Sequence, residues 1–124
     1  MIAGLKIRFI PEVESGRKRH TIRKGKRWHV GMRIDLFANV RQKTMRLIFR
    51  APVTCVEDIE ILVGAIALKV RVNDQPLDET ELTVLAIRDG FENVTDMHKF
   101  WLDQHGHGSF NGQIVHWNYA KRTA

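Results

Sequence analysis

Between Met32 and Val72 the chain changes character at almost every second residue. "GMRIDLFANV" sets Met32, Ile34 and Leu36 against Arg33, Asp35 and Phe37, and "AIALKVRVNDQPL" sets Ile66, Leu68, Val70 and Val72 against Lys69 and Arg71. A period of two marks a half-buried strand, because successive side chains leave opposite faces. At Asp78 the period lengthens: Leu82, Leu85 and Ala86, then Val94, Met97 and Trp101, recur at helical spacing. "FNGQIVHWNYA" then closes the chain as a last strand. Strands first, helices second and one strand last leave no βαβ alternation. The order predicts an α+β domain built on a small, partly open, mostly antiparallel β-barrel with two to three flanking helices.

Local signals place the elements. In "IPEVESG", Pro11 suits a first helical position and Gly16 a stop, which makes a short helical turn. "TMRLIFRAPVTCVEDIEI" reads as one long strand or two joined at Pro52, which cannot donate a ladder hydrogen bond. Asn73 and Asp74 mark a turn. Asp78 with Glu81 three residues on forms a capping box, Gly90 ends that helix, and Asn93 caps the next.

With 124 residues, 44% of them hydrophobic, and neither repeat nor linker, residues 1–124 are expected to form one domain with a real core. The single Cys55 lies in an apolar run and reads as a buried structural thiol. Lys6 and Arg8 interrupt the N-terminal apolar stretch and spoil it as a signal peptide; no run is long enough to span a bilayer. A cytoplasmic protein with no membrane partner is the expectation.

The charge is local. "SGRKRHTIRKGKRW" carries Arg17, Lys18, Arg19, Arg23, Lys24, Lys26 and Arg27 without one acid, while the remaining 13 Lys and Arg nearly balance 14 acids. A run of like charge can be a solvated face. Here Thr21, Ile22 and Trp28 are interleaved with the cations, which suits a patch that attracts phosphates. The seven cations are accordingly the candidate nucleic-acid-binding residues.

Four short motifs occur in order: Gly16, Lys18, Thr21 and Arg23; Trp28, Gly31 and Ile34; Asp89 and Gly90; and the closing "GQIVHW". Together, from about Ile7 to Trp117, they resemble the ASCH domain, a relative of the PUA fold found in bacterial, archaeal and phage proteins. The resemblance implies a PUA-like β-barrel whose cleft faces RNA, a nucleotide or a nucleoside. It also implies two enzymatic branches, a small amidohydrolase acting on acetylated cytidine and a ribonuclease-like one. In the amidohydrolase branch a Lys, a Thr three residues later and a downstream Glu act together. They match Lys18, Thr21 and, as an Asp one methylene shorter, Asp89.

The residues themselves leave both readings open. A Thr hydroxyl needs a base to become nucleophilic, and Lys18 can serve only if its surroundings lower its pKa. Lys18 and Thr21 can share a site only if the chain bends between them, since residues three apart on a strand face opposite ways. Asp89 is either a solvated helix end or a carboxylate in the cleft. Trp28, Phe100 and Trp117 read as core. His105, His107 and His116 lack an accompanying ligand set, and neither a metal nor a cofactor is expected. Walker loop, Rossmann fingerprint and nucleophile elbow are all absent from the sequence. The primary expectation is a module binding RNA or a modified nucleotide; the alternative is an amidohydrolase deacylating a modified pyrimidine nucleoside.

Overall fold

One 18-residue strand, β4 (Arg46–Val63), joins most of the molecule together. Straight, it would run about 60 Å at roughly 3.3 Å per residue. A folded chain of this length has a radius of gyration of only about 14 Å, so the strand has to coil around the core. Its pairing shifts register between Val53 and Cys55, directly after Pro52. The segment is thus one strand with an irregularity beside the proline, and such bulges bend a strand and re-aim its side chains.

The computed structural model describes residues 1–123. Around β4 stand β1 (Ile2–Gly4), β2 (His20–Lys24), β3 (Arg33–Ala38), β5 (Leu68–Val72), β6 (Gln75–Pro76) and β7 (Gly108–Trp117). β3 pairs antiparallel with the first part of β4, β7 with residues 53–63 and β5 with residues 59–63. β2 adds to β7 and β6 to β5, both antiparallel, whereas β1 runs parallel to β3. Among the described residues this is a mixed sheet of seven strands.

The class is α+β, as the element order predicts, but the sheet does not close into the expected barrel. β1 ends after three residues and the chain turns away into a 3-10 turn at Ile7–Phe9, so no ladder forms between β1 and β2. One side chain crosses the gap: Arg23 Nη1 donates to the Gly4 carbonyl at 3.2 Å.

The helices follow their caps. α1 (Ile10–Glu14) carries Pro11 in its first turn, and Gly16 beyond it takes φ +82°. α2 (Glu79–Arg88) has both halves of the Asp78–Glu81 capping box, and in α3 (Val94–Gln104) the Asn93 side chain accepts from the Asp96 amide. Leu85, Ala86, Met97 and Trp101 are buried, and the Trp101 ring packs edge-on against Phe110 of β7 at 4.7 Å. β7 is therefore covered on both faces: Phe110 and Ile114 lie toward the helices, while Gln113 and Trp117 meet Trp28 and Phe49 on the other side. No helix among the described residues is long and apolar enough to cross a membrane.

Two expectations fail locally. Ile66 is 94% exposed in the turn before β5, which begins only at Leu68. Cys55 is exposed instead of buried, because it follows the register shift at the point where β4 leaves its first partner, β3. The basic window holds an element its charges hide, namely β2, whose residues His20 and Thr21 are both buried.

Candidate functional site

The open seam between β1 and β2 contains a cavity of about 290 Å³. Gly4, Leu5 and Lys6 form one lip and Thr21, Ile22 and Arg23 the other; Phe9, Phe100, Trp101 and Phe110 supply apolar walls, and Lys18 and Asp89 also line it. Thr21 and Arg23 alternate on β2, which sends both side chains the same way. Lys18 reaches the same space from the loop before the strand. That loop is tied down on both sides, by Lys18 N donating to the Glu12 carbonyl at 2.8 Å and Arg19 N to the Arg88 carbonyl at 2.8 Å.

Lys18 and Asp89 form a buried pair, 3% and 5% exposed. Lys18 Nζ donates to Asp89 Oδ1 at 3.0 Å and to the Asp89 backbone carbonyl at 2.6 Å, and it lies 4.7 Å from the centre of the Phe9 ring. Asp89 is the C-cap of α2, so the ammonium also meets the negative end of a helix. Gly90 follows at φ +97°, and a Cβ there would fall 2.9 Å from Phe9 Cδ1 and 3.3 Å from Lys18 Cδ. Glycine is what lets the helix end close over the lysine.

Burial pushes the two groups toward neutrality. Desolvation takes Lys18 below its ordinary pKa against the attraction of Asp89, with Arg23 and Arg8 adding to the fall. It lifts Asp89 above the carboxylate range against the attraction of Lys18. The ion pair favours both charges while desolvation works against them, so the protonation of each group depends on its contact with the other.

His20 is a third member that sequence reasoning missed. Its Nε2 lies 3.4 Å from Asp89 Oδ1 but without hydrogen-bond alignment, and neither ring nitrogen has a hydrogen-bond partner among the described residues. Burial first, then Lys18 and His116, hold the imidazole well below its ordinary pKa and hence neutral. A lone histidine inside a cationic run gives little sign of burial.

The basic window does not act as a unit. Arg17 is spent on structure, pairing with Glu12 at 2.6 Å and donating to the Phe91 carbonyl at 2.6 Å. Lys26 meets Asp58 at 2.8 Å in solvent. Arg23 is half-buried at the cavity lip, and Arg19, Lys24 and Arg27 are exposed. So the geometry brings together Lys18, Thr21, Arg23 and Asp89, and leaves Arg19, Lys24, Lys26 and Arg27 on the surface. The Thr21 hydroxyl is not among the acceptors of Lys18, whose hydrogen bonds go to Asp89.

No family model, curated protein or solved structure matches the chain. The likeness to the ASCH domain rests on the motif residues alone. What the site offers chemically is a hollow of about 290 Å³ with aromatic walls, one hydroxyl, one guanidinium and a buried, hydrogen-bonded Lys–Asp pair.

Proposed function

We propose that the protein binds RNA or a modified nucleotide, holding one base with its sugar in the cavity while exposed cations of β2 and the following turn meet phosphates. The observation that carries this reading is the convergence of Lys18, Thr21, Arg23 and Asp89 in a single aromatic-walled cavity. Its volume, about 290 Å³, stands at the small end of ligand sites, which suits one nucleoside better than a longer segment. Aromatic faces stack on any base, a carboxylate can accept from an exocyclic amine, and Arg23 presents a planar fork to a phosphate or carbonyl. Arg19, Lys24 and Arg27 would add the sequence-independent attraction.

The same convergence favours a second reading, an amidohydrolase that deacylates a modified pyrimidine nucleoside, as the ASCH resemblance implies for Lys18, Thr21 and Asp89. In that chemistry Thr21 Oγ1 attacks the acyl carbon, neutral Lys18 takes the hydroxyl proton, and the C–N bond breaks as the amine leaves with a proton. Water then cleaves the acyl-threonine ester. Asp89 would receive or return the proton through its contact with Lys18.

The deciding experiment pairs two assays on the same variants. Fluorescence anisotropy with short single-stranded and duplex RNAs should show binding that Arg23→Gln and Phe100→Ala weaken, and turnover of acetylated nucleosides should be followed alongside. Turnover lost in Thr21→Ala with binding retained selects the hydrolase. Binding without turnover selects the module. Neither RNA nor nucleoside binding in the wild-type protein would overturn both.

A further inference from the structure

We propose that Cys55, Glu57 and His116, backed by His20, form a binding site for a zinc-like divalent cation on the helix-facing side of the sheet, distinct from the Lys18–Asp89 cavity.

The row is built by strand register. His20 of β2 stands opposite His116 of β7, and His116 stands opposite Cys55 of β4, so one line across three neighbouring strands carries imidazole, imidazole and thiol. Directly opposed residues on paired strands project from the same face. Glu57, two residues along β4 from Cys55, shares that face. One ligand atom from each of Cys55, Glu57 and His116 lies within 4.8 Å of the others.

A surface ion pair explains only part of this. His116 Nε2 and Glu57 Oε1 meet at 2.6 Å, and that contact alone would be an ordinary hydrogen bond. It leaves unexplained the thiol of Cys55 brought close to both groups. The His20 side chain is 1% exposed, lines a cavity of about 160 Å³ together with Glu57 and His116, and packs its ring edge-on to His116 at 5.2 Å. Both of its nitrogens lack hydrogen-bond partners among the described residues. His20 is not itself one of the clustered ligands: its Nε2 lies 3.4 Å from Asp89 Oδ1, and its ring forms a buried wall behind His116.

Donor chemistry selects the ion. One thiolate, imidazole nitrogen and one carboxylate suit a borderline ion such as zinc, whereas calcium and magnesium take oxygen ligands. Bond lengths of about 2.0–2.3 Å place tetrahedral ligand atoms about 3.3–3.8 Å apart. The three-residue cluster must therefore draw in by about an ångström at its widest and part slightly between Glu57 and His116, within reach of a side-chain rotation at exposed Cys55. Binding would release the thiol proton to solvent. Nearby Glu81 is occupied by its capping box, and Arg88 on α2 is the one cation lining the cavity.

Cobalt(II) titration of the untagged, reduced full-length protein tests the site. The expected result is one equivalent bound, with the intense visible bands of a tetrahedral ion and a thiolate-to-cobalt charge-transfer band that zinc displaces. Cys55→Ser lies at an exposed position and should fold normally, yet lose the charge-transfer band and weaken zinc at least about tenfold, as should Glu57→Gln and His116→Gln. Zinc should raise the thermal midpoint of the wild-type protein and not that of Cys55→Ser. Absence of the charge-transfer band from the wild-type protein, or equal zinc affinity in Cys55→Ser and wild type, would overturn the assignment and move any bound ion elsewhere, for instance to His105 and His107.

Discussion

Lys18 Nζ touches Asp89 twice, 3.0 Å from its carboxylate and 2.6 Å from its backbone carbonyl, although 71 residues separate the two in the chain. One side chain thus fastens the start of β2 to the end of α2. Removing either partner leaves the other buried without its ion-pair partner. Lys18→Met should destabilise the fold by about 3–5 kcal/mol, the cost of leaving a buried charge unpaired. The double variant Lys18→Met with Asp89→Asn should recover part of that loss, and urea denaturation of the four proteins measures the coupling. Equal losses that simply add would mean the contact carries no coupling.

Gly90→Ala places a methyl group 2.9 Å from Phe9 Cδ1 on a backbone at φ +97°. The left-handed conformation alone costs about 1–2 kcal/mol for an L residue. Thermal unfolding should show at least that loss. Near-ultraviolet circular dichroism should change too, as Phe9 is displaced from Phe91 and Phe100.

Asp35 contributes to the acid limb of stability. Desolvation tends to raise it, yet hydrogen bonds from Arg50 at 2.8 Å and from Arg33 at 3.2 Å, with the charges of both arginines, hold its carboxyl below its ordinary pKa of 3.8. A depressed folded pKa contributes stability that is present above pH 3.8 and is lost as the pH falls through the lower folded value. Asp35→Asn should be less stable near neutrality, and its urea midpoint should fall less steeply between neutrality and pH 3.

For nucleic acid, the surface cations should separate from the structural ones. Lys24→Gln and Arg27→Gln should each reduce the salt slope of RNA binding by up to about one, the amount expected per lost phosphate contact. Arg17→Gln should lower stability and leave the slope alone, because Arg17 is held by Glu12 and the Phe91 carbonyl. Anisotropy titrations at several salt concentrations distinguish them.

How much of this was legible in the residues follows from how local each signal is. The Asp78–Glu81 box, the Asn93 cap and the turn at Asn73 and Asp74, both at positive φ, involve neighbours in sequence and were all readable. β2 was not readable as a strand, since its burial comes from pairing with β7, 88 to 96 positions away. An apolar run predicts burial only while its register is unbroken, and the shift between Val53 and Cys55 leaves Cys55 exposed. Lys18, Thr21 and Asp89 could be nominated by their motifs. That Lys18 spends its protons on Asp89 and not on Thr21 depends on how the loop before β2 is anchored to Glu12 and Arg88.

Asp89 Oδ1 stands between Lys18 on one side and His20 on the other, at 3.0 and 3.4 Å, and each of those side chains lines a different cavity. Thermodynamic reciprocity follows from that shared atom. An anion that draws Lys18 away removes the charge that holds Asp89 ionised against its burial, so the carboxyl moves toward its protonated form and His20 loses a negative neighbour. By the same factor, a cation held beside His20 changes the affinity of the Lys18 cavity for its ligand. The two hollows on different parts of the surface are then linked through one oxygen atom, and each is best measured with the occupancy of the other held fixed.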